Sequence, residues 1–136
     1  MNDNFKWKAL FLLIAVGNLS NGLWMLANPN HWYLNLPGRI PDFGPMNEHL
    51  IRDLACIFVL FGIISVKAAF IKSSRKSALL IIFLWYLGHA SVHVLDTLRG
   101  FVAIEHFYVD IPLVYAPTII IGTLLILIKN EDKKHA

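Results

Sequence analysis

The side chains best suited to chemistry lie where chemistry is expensive. Residues 79–98 form a nearly unbroken apolar run that nevertheless carries His89, His93 and Asp96. On a helix, positions i, i+4 and i+7 fall within about 60° of one another, so the three share one narrow stripe. A second run opens with the same spacing, His49, Asp53 and Cys56, with Arg52 beside them. Two histidines one turn apart can reach a single ion. His89 and His93, completed by Asp53 and Asp96, form the expected ligand set, with His49 or Cys56 in reserve. Such a nitrogen and oxygen set suits zinc, iron, manganese or copper without choosing among them, so a divalent transition metal is the cofactor it would take. No HExxH, paired Glu-x-x-His or CxxC sharpens that reading.

Two other readings stand beside the metal. In one, the cluster is a buried ion-pair network in which Arg52 pairs with Asp53 or Asp96, leaving the chain as a structural or interaction subunit of a membrane complex. In the other, His, Asp and Arg beside aromatic rings hold an organic ligand such as a quinone or a lipid headgroup. Catalysis by a His–Asp base lacks an obvious nucleophile, since Ser91 lies off the stripe and Cys56 has no clear activating partner. A haem would need a second histidine facing His89 at its own depth.

The elements that must position these residues are membrane spans. The chain has 136 residues, enough for one domain, with 57% hydrophobic content and a mean hydropathy of +0.58. Its apolar residues gather into four runs, about 7–27, 48–71, 77–98 and 111–128. Each approaches the ~20 residues a helix needs to cross a bilayer. Membrane strands would be half as long and alternating, and soluble helices would show a charged face. The expected fold is all-α, an integral membrane four-helix antiparallel bundle.

The excess of basic residues belongs to that topology and not to nucleic acid. Lys6 and Lys8 stand at the start of the first run, Lys67, Lys72, Arg75 and Lys76 lie around the second connection, and Lys129, Lys133 and Lys134 follow the last run. The positive-inside rule then places both termini in the cytoplasm and segments 28–48 and 99–110 on the far side. The first run is expected as an uncleaved span, being longer than a signal-peptide core. The lone Cys56 excludes an intrachain disulfide.

Counting 1.5 Å per residue, Asp53 and Asp96 lie within about 5 Å of the outer ends of their helices, while His89 and Asn18 are about 13 Å down. Every ionisable residue inside the spans before Lys67 falls in the outer half. His49, Arg52, Asp53, His89, His93 and Asp96 are therefore expected to converge in a polar pocket open to the non-cytoplasmic side. Asn18 and Asn21 either line it as a second layer or act as interhelical glue. A channel needs polar residues at all depths, so transport is disfavoured. Segment 28–48 holds four of the six prolines and is expected as a stiff, irregular lid. Pro117 should bend the fourth helix, and residues 1–5 and 130–136 should be disordered. Gly17 and Gly22 mark the expected close-packing face for a membrane-protein partner or a second copy, with the lipid bilayer around the rest.

The pattern Trp32-Tyr33, Pro37, Pro41-Asp42-x-Gly44-Pro45-x-Asn47-x-His49-x-x-Arg52-Asp53, followed by Gly88-His89-x-x-x-His93-x-x-Asp96, resembles small uncharacterised bacterial four-helix membrane proteins. In topology alone the chain also resembles DoxX-like proteins, some of which accompany quinol-oxidising or sulfur-compound-oxidising complexes. The resemblance implies a bacterial inner membrane and redox company, and it carries no site residues.

Overall fold

The computed structural model describes residues 3–134, and side chains over 4–128. The described residues are all-helical, with no strand among them. In chain order the α-helices are α1 (Asp3–Ala27), α2 (Pro29–Asn35), α3 (Glu48–Phe70), α4 (Arg75–Leu98), α5 (His106–Val109) and α6 (Ala116–Lys134). Four segments are long and apolar enough to cross a membrane: Asn4–Ala27, Glu48–Phe70, Lys72–Leu98 and Ile111–Ile128. The chain falls into two compact units.

The first unit takes residues up to 35 and from 45 to 78, and its frame is α1 packed along α3. Buried positions on α1 recur at helical spacing through Trp7, Phe11, Ala15, Asn18, Gly22 and Met25. At Gly22 the helices approach so closely that a Cβ would stand 2.9 Å from the Ala55 carbonyl oxygen and from Val59 Cγ2. Gly22 is thus spent inside this unit, whereas Gly17 has open space around its Cα. Buried Arg75 locks the other end. Its Nε donates to Ala68 O at 3.1 Å and its Nη2 to Asn4 Oδ1 at 2.7 Å, closing the C-terminus of α3 against the start of α1.

Segment 28–48 differs from the irregular lid expected of it. Pro29 begins a seven-residue helix, because at the first helical position its missing N–H is one that no helix satisfies internally. Asn28 caps that helix, its Oδ1 accepting from His31 N at 3.0 Å. Buried Trp32 then donates from Nε1 to Asn21 Oδ1 at 2.9 Å. Asn21 therefore fastens α2 to α1, and the adjacent Asn18 donates to Ile14 O at 2.8 Å.

The second unit takes residues 36–44 and those from 79 onward. Here α4 and α6 meet where Thr118 Oγ1 lies 3.2 Å from Tyr86 O. The C-terminus of α4 closes with Gly100 at φ 70°, its N–H on Thr97 O and that of Phe101 on Asp96 O. That pairing satisfies two carbonyls the helix end would leave open, and it needs a residue free to adopt positive φ. Into α6 the chain winds a single π turn, Ile111–Tyr115, in which Asp110 O accepts from both Val114 N and Tyr115 N. The wide turn comes just ahead of Pro117, whose ring would otherwise crowd the carbonyl four residues back. The irregularity expected at Pro117 is thus a change of winding before it.

Helical backbone also extends further at both ends than expected. It begins at Asp3 and reaches Lys134. Adding residues to an existing helix costs far less than starting one. The remaining terminal positions of those two expectations, 1–2 and 135–136, lie outside the described residues.

Candidate functional site

The second unit holds a chain of alternating imidazoles and carboxylates. The single turn α5 brings His106 and Asp110 onto one face, Nδ1 to Oδ1 at 3.3 Å. The other oxygen of Asp110 meets His93 Nδ1 at 2.7 Å. His106 Nε2 reaches Asp42 Oδ2 at 3.1 Å, and the same oxygen takes Arg39 Nη2 at 2.8 Å. The order is therefore Arg39, Asp42, His106, Asp110, His93.

Burial gives the chain a direction. The side chains of Arg39 and Asp42 are 53% and 33% exposed, those of His106 and Asp110 0% and 1%, and that of His93 11%. It thus runs from a half-open carboxylate through a fully buried centre to a histidine that is nearly buried. Charges inside apolar surroundings persist when paired. With both carboxylates ionised, His106 can hydrogen-bond to both only if each ring nitrogen carries a proton.

Local sequence explains how the wet end arrives. Pro41 sits in the first turn of the 3-10 helix Ile40–Phe43, and Asp42 N donates to Arg39 O at 3.0 Å. That turn presents Asp42 and Phe43 together. The Phe43 ring lies 4.8 Å from His93 and 4.8 Å from His106, wedged between the two imidazoles. At the dry end a ladder of rings continues one turn at a time along α4. His89 lies 4.5 Å from His93 in edge contact, and Trp85 lies 6.2 Å from His89 and nearly parallel to it. Tyr115, on the π turn that Asp110 opens, has its hydroxyl buried with no partner among the described residues.

No known protein family, curated protein or solved structure matches the chain.

Of the residues expected from the sequence, the structure brings His89 and His93 together. Asp96 is half-buried and outside the hydrogen-bonded chain; its backbone carbonyl closes the Gly100 turn. His49, Arg52 and Asp53 belong to the first unit and are exposed there. His49 pairs with Asp53 at 3.4 Å. Arg52 pairs with Glu48 instead of Asp53 or Asp96, because an acid four residues back on the same helix is within easy reach. Asn18 and Asn21 are likewise in the first unit, engaged as described above. Among the described residues no group of three or more His, Cys, Asp or Glu side chains is placed to hold a metal ion.

Asp42, Phe43, His106 and Asp110 lie outside the set of site residues expected from the sequence. One signal was available. His106 and Asp110 repeat the i, i+4 spacing of His49–Asp53 and His89–His93, just before the fourth apolar run. Nothing in the spacing of Asp42, 64 residues away from His106, could have joined it to them.

Proposed function

We propose that this is an integral protein of a bacterial inner membrane, with four spans and both termini in the cytoplasm, whose histidine–carboxylate chain is a proton-exchanging site for a small organic ligand of the quinone or quinol class. The four long apolar helices and the placement of Lys and Arg at or beyond their ends support the spanning reading. In this topology Asp42 and Arg39 face the non-cytoplasmic side.

The observation that carries the site is His106 at 0% exposure with a carboxylate on each ring nitrogen. Such an imidazole can pass a proton from one neighbour to the next. The chain has one wet end and one dry end, an arrangement that suits delivery of protons to a bound molecule more than passage across the membrane. With His93 Nδ1–H held by Asp110, its Nε2 is the acceptor for a ligand hydroxyl. The rings of Phe43, His89 and Trp85 offer the flat apolar surface such a ligand needs. The unpartnered Tyr115 hydroxyl supplies a further hydrogen-bonding group in the same unit.

The test is titration of the purified full chain in lipid nanodiscs with decyl-ubiquinone, read by quenching of tryptophan fluorescence. Saturable quenching is expected, at least ~10-fold weaker in His93→Ala, a loss of about 1.4 kcal/mol in binding. Asp53→Asn in the first unit should bind as the parent does. Absence of saturable quenching, or equal affinity in His93→Ala, would refute the ligand reading. Loss of stability in that variant without any binding in the parent would identify the chain as a fastening network instead.

A further inference from the structure

The outward face of α3 carries a feature that the histidine chain does not use. Ile51, Ala55, Gly62, Ser65 and Ala69 are buried, and the opposite stripe of His49, Asp53, Cys56, Leu60, Ile63 and Lys67 is exposed throughout. Its spacings alternate four and three residues, the period of a seam that a second helix can follow. The upper end of the stripe is not lipid-like. His49 and Asp53 are 89% and 63% exposed, Arg52 and Glu48 about half, and Cys56 follows one turn further along. Lower down, Leu60 and Ile63 are 53% and 56% exposed and purely apolar.

We propose that this stripe is the interface at which two copies of the chain associate, α3 beside α3 in parallel about a two-fold axis along the membrane normal. Charge decides for a second copy. The polar end carries acids, Glu48 and Asp53, together with bases, Arg52 and His49, so the patch is complementary to itself. A two-fold axis along the membrane normal places each level of the stripe against the same level of its mate. Arg52 of one copy then meets Asp53 of the other, while Leu60 and Ile63 pack below them. Within one copy these charges are held only as exposed pairs one turn apart, Glu48 with Arg52 and His49 with Asp53, which are weak enough to exchange partners across the axis. Lys67 does not oppose the arrangement, because it lies near the C-terminal end of α3, where its long chain reaches water. The proposal rests on α3 spanning the membrane and is independent of the quinone site.

Cys56, the single cysteine, is a native reporter on this seam. Membranes containing the full chain are washed in alkaline carbonate, then oxidised with copper–phenanthroline. Two thiols lose two protons and two electrons to oxygen, and one S–S bond forms. Retention in the washed membranes is the spanning result; release would overturn the spanning reading itself, and with it this proposal. Expected is a reductant-sensitive band at twice 15.4 kDa. In a Cys56→Ser background, Leu60→Cys and Ile63→Cys should crosslink comparably, and Leu84→Cys, exposed on α4, at least ~5-fold less. Arg52→Asp should reduce crosslinking at Cys56, and adding Asp53→Arg should restore it. Equal crosslinking at Leu84, no dimer at any of the three α3 positions, or indifference to Arg52→Asp would overturn the interface.

Discussion

Changing Asp110 to Asn is the sharpest perturbation of the histidine chain, because it preserves shape and removes charge. Asp110 is 1% exposed and joins two imidazoles, at 2.7 Å and 3.3 Å. Its two oxygens accept from both rings, whereas an Asn offers one acceptor and one donor. One imidazole N–H then faces an amide N–H and loses its carboxylate acceptor. A hydrogen bond to a charged group contributes about 1.5–3 kcal/mol, and breaking a buried ion pair costs about 3–5 kcal/mol. With His106 still paired to Asp42, the loss for Asp110→Asn should lie near 2–4 kcal/mol. Reversible unfolding by SDS in mixed micelles, followed by far-ultraviolet circular dichroism, measures it. Asp96→Asn is the control, one helix turn from His93 but outside the chain, and should stay within about 0.5 kcal/mol of the parent. An Asp110→Asn variant as stable as the parent, or equal losses at the two aspartates, would refute the geometry.

The first unit makes its own predictions in the same unfolding assay. Gly22→Ala puts a Cβ 2.9 Å from Ala55 O and Val59 Cγ2, and backbone there cannot yield cheaply, so a loss of about 1–3 kcal/mol is expected. Gly17→Ala, five residues earlier in open space, should be neutral or slightly stabilising because alanine favours helix. Arg75→Lys should cost about 2–4 kcal/mol despite keeping the charge. A lysine ammonium cannot serve Ala68 O and Asn4 Oδ1 at once from one fork.

The four long helices were legible because run length and polarity are local quantities. So was the opening of α3 at Glu48, where the structure adds a cap, Asn47 Oδ1 accepting from Leu50 N at 3.0 Å. Segment 28–48 was misread for a reason equally local. Proline density argues against helix only when each ring falls inside one, and Pro29 and Pro41 both sit in first turns, where they are tolerated. Likewise Gly22 looked like an outward face because small residues mark close packing without saying which helix approaches. The structure assigns that approach to α3.

The stripe on α4 shows why depth and spacing could find His93 without finding its partner. A periodic stripe identifies residues that share a face, and sharing a face is different from sharing a bond. Asp96 and His93 are one turn apart on a rigid rod, each directed outward, so their polar groups find partners on another element. A carboxylate aimed at the imidazole edge-on must arrive from a segment free to change direction. Here α5 and the π turn supply that freedom. They hold Asp110 with its backbone carbonyl taken by Val114 and Tyr115 and its side chain turned to His93 and His106. Asp42 arrives in the same way, from a 3-10 turn of four residues. Both acids come from short turns and His93 from a long helix, and the helix fixes the ring that the turns then reach. Shortening the approach to α6 by one residue would therefore injure the site while leaving the long helix intact, because it removes the extra π residue that sets the direction of Asp110.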